Sequence, residues 1–161
     1  MTIRFPRAVA ATLIDAGWDP ANPDEERARD WGLRLATHLS DTGRRHAFFP
    51  AALSLLAEFG GISVTQDGGG EDVALNGFTV DPMLALHSAD VLAAFGERIG
   101  ARVAPIGAED GMVSFLAVDE QGRVFVLDHG GEWYLGESAD AALTTLILGR
   151  RPERVRADGT W

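Results

Sequence analysis

Apolar positions recur at helical spacing through the first third of the chain, then switch to alternation and short continuous runs. Phe5, Val9, Leu13 and Ala16 predict a first helix over about 6–16, stopped by Gly17. Asn22 reads as an N-cap, with Pro23 at the first helical position and Glu25 at the third. The helix it starts runs to about Asp41, with Ala28, Trp31, Leu35 and Leu39 on one face. A short third helix begins near Pro50, buries Ala52, Leu55, Leu56 and Phe59, and closes at Gly60-Gly61.

The strand pattern starts at Ile62–Gln66, which alternates as a half-buried strand should. After the acidic loop Asp67–Asp72, a second strand is expected from Val73 to Val80, broken at Asn76-Gly77 by a bulge or bend. A helix over Ala89–Ile99 turns Val91, Leu92, Phe95 and Ile99 inward. A short strand follows at Arg102–Ile106. Val113–Val118 and Val124–Leu127 form the clearest hairpin, and their nearly continuous apolar character places them centrally, covered on both faces. Glu132–Gly136 adds a strand, and Ser138 caps a last helix that buries Ala142, Leu143, Leu146 and Ile147 and stops at Gly149. Helices first, then strands interleaved with helices, predict a single α+β domain over residues 1–149. Its sheet should be curved, mostly antiparallel and about five or six strands wide, with helices packed on it. Residues 150–161 form a polar, basic tail whose order the pattern leaves open.

Composition is that of an ordinary globular domain of 161 residues, 46% apolar and 24% charged. With no cysteine there is no disulfide framework, thiolate zinc site or cysteine nucleophile, which fits a reducing cytoplasm. The first residues are too short and amphipathic a stretch for a signal peptide, and no apolar run is long enough to span a bilayer. Charge changes the picture more. All 14 basic residues are arginine, a bias read as codon usage, against 24 acids, for a net charge of −10. Residues 61–149 alone carry 14 acids and 3 arginines. Such a surface repels phosphate backbones and favours a basic protein as partner over nucleic acid.

Catalytic patterns are missing. His38, His46, His87 and His129 show no metal-ligand spacing, and Asp128-His129 is not an acid–base pair if adjacent strand residues face opposite ways. Ser63, Ser114 and Ser138 lack a nucleophile elbow. Gly68-Gly69-Gly70 lacks the lysine and helix of a phosphate loop, and Asp67, Glu71 and Asp72 lack calcium-loop spacing. The residues alone therefore describe an acidic α+β domain that holds a partner, with no enzyme activity, cofactor or metal.

The order and spacing of six stretches resemble the SUKH superfamily of bacterial immunity proteins, and within it the third subfamily. They are Leu13…Ala16-Gly17-Trp18-Asp19-Pro20, Phe49-Pro50-Ala51-Ala52…Leu56–Ile62, Phe78–Pro82, Pro105-Ile106-Gly107, Leu116–Phe125, and Leu135-Gly136…Ala142-Leu143 ending at Gly149. Asn22 stands where an arginine is usual, and Ala108 separates Glu109 from the Pro-x-Gly that an acid often follows directly. The resemblance implies a function without catalysis: binding a cognate toxin domain, often a nuclease, and protecting the producing cell. A general adaptor or regulatory subunit is the alternative, and nothing in the sequence sets the oligomeric state. The matched glycines, prolines and aromatics suit scaffold positions, Gly17, Gly60, Gly61 and Gly122 as points of positive φ. The partner site is then expected on acidic turns between them: Asp67, Glu71 and Asp72; Glu109 and Asp110; Asp119 and Glu120.

Overall fold

Three helices at the amino end, α1 (Arg7–Asp15), α2 (Glu25–Thr37) and α3 (Pro50–Phe59), follow from the helical spacing of their apolar residues. The computed structural model describes residues 3–161; Met1 and Thr2, the start of the amino-terminal stretch judged above too short and amphipathic for a signal peptide, lie outside it. Two boundaries of α2 differ from expectation. Asn22 does not cap it, because its side chain donates to Asp19 Oδ2 at 2.7 Å within the preceding turn. Asp24 caps instead, accepting from the Arg27 backbone N–H at 2.9 Å. The helix ends at Thr37, where His38 turns extended, and this leaves Leu39 exposed.

The sheet has seven antiparallel strands in sequence order: β1 (Ser63–Val64), β2 (Phe78–Thr79), β3 (Val103–Glu109), β4 (Ser114–Asp119), β5 (Val124–Asp128), β6 (Gly131–Gly136) and β7 (Glu153–Arg154). The helices α4 (Ala89–Ile99), preceded by a 3-10 segment at Pro82–Ser88, and α5 (Ala139–Leu148) connect strands. The seventh strand comes from the segment 150–161, where Tyr134 pairs with Glu153 and Trp133 with Arg154. The expected strand at Val73–Val80 shrinks to Phe78–Thr79. Residues 71–73 instead hydrogen-bond to the end of α5: Glu71 N–H donates to the Leu148 carbonyl, and the Asp72 and Val73 N–H groups donate to the Gly149 carbonyl.

Strands β4 and β5 are covered on both faces, as their continuous apolar character requires. On one face Ala104, Leu116, Val118, Val124, Val126 and Leu135 meet α1, α3 and α5. On the other, Val103, Ala117, Phe125 and Leu127 meet Leu92 and Phe95 of α4, Val155 and Trp161. Trp161, in the tail whose order the sequence pattern left open, stacks on Tyr134. Val91, expected inward on α4, points to solvent. Gly17, Gly61 and Gly122 take positive φ, but Gly60 has φ −57. Gly60 is needed for space, since a Cβ there would strike the Leu56 carbonyl oxygen and the Trp31 ring.

Candidate partner-binding surface

The strand register divides the expected acids between opposite ends of the sheet. Phe78 pairs with Glu109 at one end of β3, while Val103 pairs with Asp119 at the other. The first two acidic turns therefore lie near each other, and the third is a full strand length away. A groove of about 680 Å³ runs from this end of β3 to the end of α5: Val73, Ala74, Glu109 and Asp128 line it together with Arg150, Arg151 and Arg154, with Val126, Leu135 and Leu146 as its apolar floor.

Internal ion pairing separates the acids further. Asp119 is buried, not exposed as its turn position suggested, with 0% of its surface accessible. Its Oδ1 accepts from the backbone N–H groups of Gln121 and Arg123, and its Oδ2 accepts from Arg123 Nε at 2.6 Å. It is the first residue of the turn into β5, the position where an aspartate bonds the backbone two residues on. Glu120 is exposed but pairs with Arg102 at 3.1 Å. The Arg102 backbone N–H and guanidinium hold its carboxyl below the usual carboxylate range. Glu71 pairs with Arg150 at 2.9 Å, and Asp72 accepts from the Arg151 backbone N–H at 2.9 Å. Asp67, Glu109 and Asp110 form no ion pair within 4.0 Å among the described residues. Asp110 lies over Gly77, where a Cβ would collide with its carboxylate, which explains the glycine at that bend.

Four residues at this end of the sheet were not singled out as partner residues from sequence. Asp128 ends β5, and its Oδ1 accepts from the Gly130 N–H at 2.6 Å. Ser114 pairs with Asp128 across β4–β5 and is 4% exposed. Because Leu116 and Val118 face α3 and α5, alternation puts Ser114 on that same face. Between β3 and β4, Met112 and Val113 are 49% and 60% exposed, and Met112 is the one non-glycine residue with positive φ among those described. Met112 thus joins an exposed apolar side chain to a costly backbone conformation, beside the exposed Val113. The acids Glu109 and Asp110 were legible in the sequence as a turn, but Val113 was expected in the following strand; their union with Asp128 required the β4–β5 register.

Three histidines that showed no shared spacing also meet. The His38 and His87 rings stand 5.1 Å apart, edge to face. His46, 6% exposed, donates from Nε2 to the Leu86 carbonyl at 2.6 Å, and its Nδ1 has no partner. Burial is the main force lowering its pKa, and the neighbouring His38 and His87 lower it further. No group of three metal-binding side chains converges among the described residues, here or elsewhere. No described helix is long and apolar enough to cross a membrane.

No curated protein and no solved structure matches this chain closely enough to add a relative. The landmarks that resembled a SUKH subfamily now stand where scaffold residues belong: Trp18 stacks on Phe59, Gly107 lies against β2, and Gly122 makes the β4–β5 turn. The family model for the SUKH-3 immunity protein matches residues 5–149, from the start of the α1 region to the glycine that stops α5. The chain belongs to the SUKH-3 immunity protein family.

Proposed function

We propose that the protein is a non-catalytic antidote that binds the basic surface of a cognate toxin domain in the cytoplasm, using the end of the sheet where β3 meets β4. The observation that carries this reading is the set of acids there without internal cations, Glu109, Asp110 and Asp128, beside the exposed Met112 and Val113. Of Asp67, Glu71 and Asp72, only Asp67 adds free negative charge, since Glu71 pairs with Arg150 and Asp72 accepts from the Arg151 backbone N–H. Unpaired acids steer a basic partner by long-range attraction, and an apolar tip supplies the desolvated anchor that steering alone lacks. A nuclease toxin suits this chemistry because its substrate cleft must be basic to hold phosphates. Occupying that cleft blocks the substrate without any reaction by the antidote.

The test is co-expression with candidate toxin domains chosen from the genes flanking this protein's own. The expected result is restored growth and a complex that survives size-exclusion chromatography, with association that slows as salt rises. Growth arrest despite expression, with no complex formed at low salt, overturns the reading.

A further inference from the structure

We infer that the recess at the end of β3–β5 is a socket for an arginine side chain presented by the bound partner. This rests on the toxin-binding reading and names the chemistry of one contact within it. The recess has a volume of about 410 Å³ and is lined by Asn76, Glu109, Ser114, Asp128, His129 and Trp133. The sheet register produces it. Ser114 pairs with Asp128, and Ala108 pairs with Phe115, so Glu109 comes next to Ser114 one step further along β3. Glu109, Ser114 and Asp128 thus form one row across three strands, with Ser114 between two carboxylates. Val126 and Trp133 pair one step deeper on β5 and β6.

Two observations point to a missing cation. Neither Glu109 nor Asp128 has a basic side chain within 4.0 Å among the described residues. The Ser114 hydroxyl, in a side chain more than nine-tenths buried, has no hydrogen-bond partner. A buried hydroxyl left unpaired costs free energy that a donor entering the recess would recover. Arg154, which lines the neighbouring groove with Arg150 and Arg151, does not fill the gap. It donates to the Gly130 carbonyl at 2.7 Å and lies 5.5 Å from the Trp133 ring centre. It does show that a guanidinium is accommodated against this indole.

The shape selects the kind of cation. A bare metal ion needs several oxygens converging on one point, and they do not converge here. Two carboxylates on alternate strands, separated by a serine, suit a planar fork whose N–H groups point in several directions. An ammonium offers a single compact charge and cannot span the row in the same way.

The experiment titrates the isotope-labelled protein with the peptide acetyl-Gly-Arg-Gly-amide, followed by amide and indole NMR shifts. The expected result is saturable binding, with the largest shifts at Ser114, Asp128, Gly130 and the Trp133 indole. The same peptide with citrulline, which keeps the shape without the charge, should bind at least tenfold more weakly, and lysine several-fold more weakly. The isosteric double variant Glu109→Gln/Asp128→Asn should lose at least tenfold in affinity with an unchanged melting temperature. Shifts spread equally over Asp67 and Glu120, equal binding of citrulline or lysine, or a double variant that binds like the parent would each overturn the socket. Co-expression with the toxin keeps the two ideas apart. If the parent and the double variant both protect fully, the socket fails and the toxin-binding reading stands. If the peptide binds as expected but the parent neither protects nor forms a complex, the toxin-binding reading fails.

Discussion

Asp119 Oδ2 accepts a hydrogen bond from Arg123 Nε at 2.6 Å, in a pair whose acid has no exposed surface. The same guanidinium lies 5.0 Å from the Trp161 ring centre, so one arginine joins the β4–β5 turn to segment 150–161. Removing one partner of a buried pair strands the other. Asp119→Ala is therefore expected to destabilise the fold by about 3–5 kcal/mol. Denaturant unfolding measures this, and a loss under about 1 kcal/mol would contradict the buried-pair account.

Segment 150–161 is expected to contribute to stability through Trp161. Its ring stacks on Tyr134 at 4.8 Å and meets Phe125 edge to face at 5.5 Å. Trp161→Ala should cost about 2 kcal/mol, less than full burial would, because the ring is only half-buried. Near-ultraviolet circular dichroism should lose intensity along with the melting temperature.

Gly107 sits where β2 crosses close to β3, and a Cβ there would strike the Thr79 carbonyl oxygen and come within 3.1 Å of Val80 Cα. These are backbone atoms and cannot rotate away. Gly107→Ala should destabilise by about 1–3 kcal/mol, the usual cost of overpacking. Its amide shifts should change along β2 more than along β5.

The buried His46 ties stability to pH. Its native pKa lies below the ordinary 6.5, because burial disfavours the charged ring. A depressed histidine pKa leaves the unfolded chain binding the proton more readily. The stability it supports is therefore complete above about 6.5 and is lost as pH falls from there through the native value. Urea unfolding between pH 8 and 5 should show a steeper acid decline for the parent than for His46→Gln. Equal slopes would count against the buried neutral ring.

Charge reversals should separate the two ends of the sheet. Asp110→Arg should slow association with the toxin and flatten its salt dependence, and Met112→Ala should speed dissociation. Glu120→Arg, at the opposite end and already paired with Arg102, should change the association rate far less. All three should leave stability within about 1 kcal/mol, as exposed substitutions usually do. Stopped-flow association across a salt series reads all three. If Glu120→Arg slows association as much as Asp110→Arg does, the docking end has been misplaced.

Most helices were legible from sequence because they are set by contacts three and four residues apart: α1, α3, α4 and α5 lie where their apolar spacing and stops put them. The β4–β5 hairpin was legible for the same reason, since a short turn fixes its register locally. The acid-rich composition pointed to a basic partner, and the order of glycine, proline and aromatic landmarks pointed to the family before any geometry was known. What the sequence could not determine was which charges remain free. Asp119 and Asp110 look alike in a turn, yet Arg123 neutralises one and, among the described residues, no basic side chain lies within 4.0 Å of the other. Glu71 meets Arg150 across 79 positions of sequence. Glu109, Ser114 and Asp128 become neighbours only because three strands align. Coulomb attraction and strand pairing act through space, so the chain's long-range register decided which acids are paired within the fold and which are not.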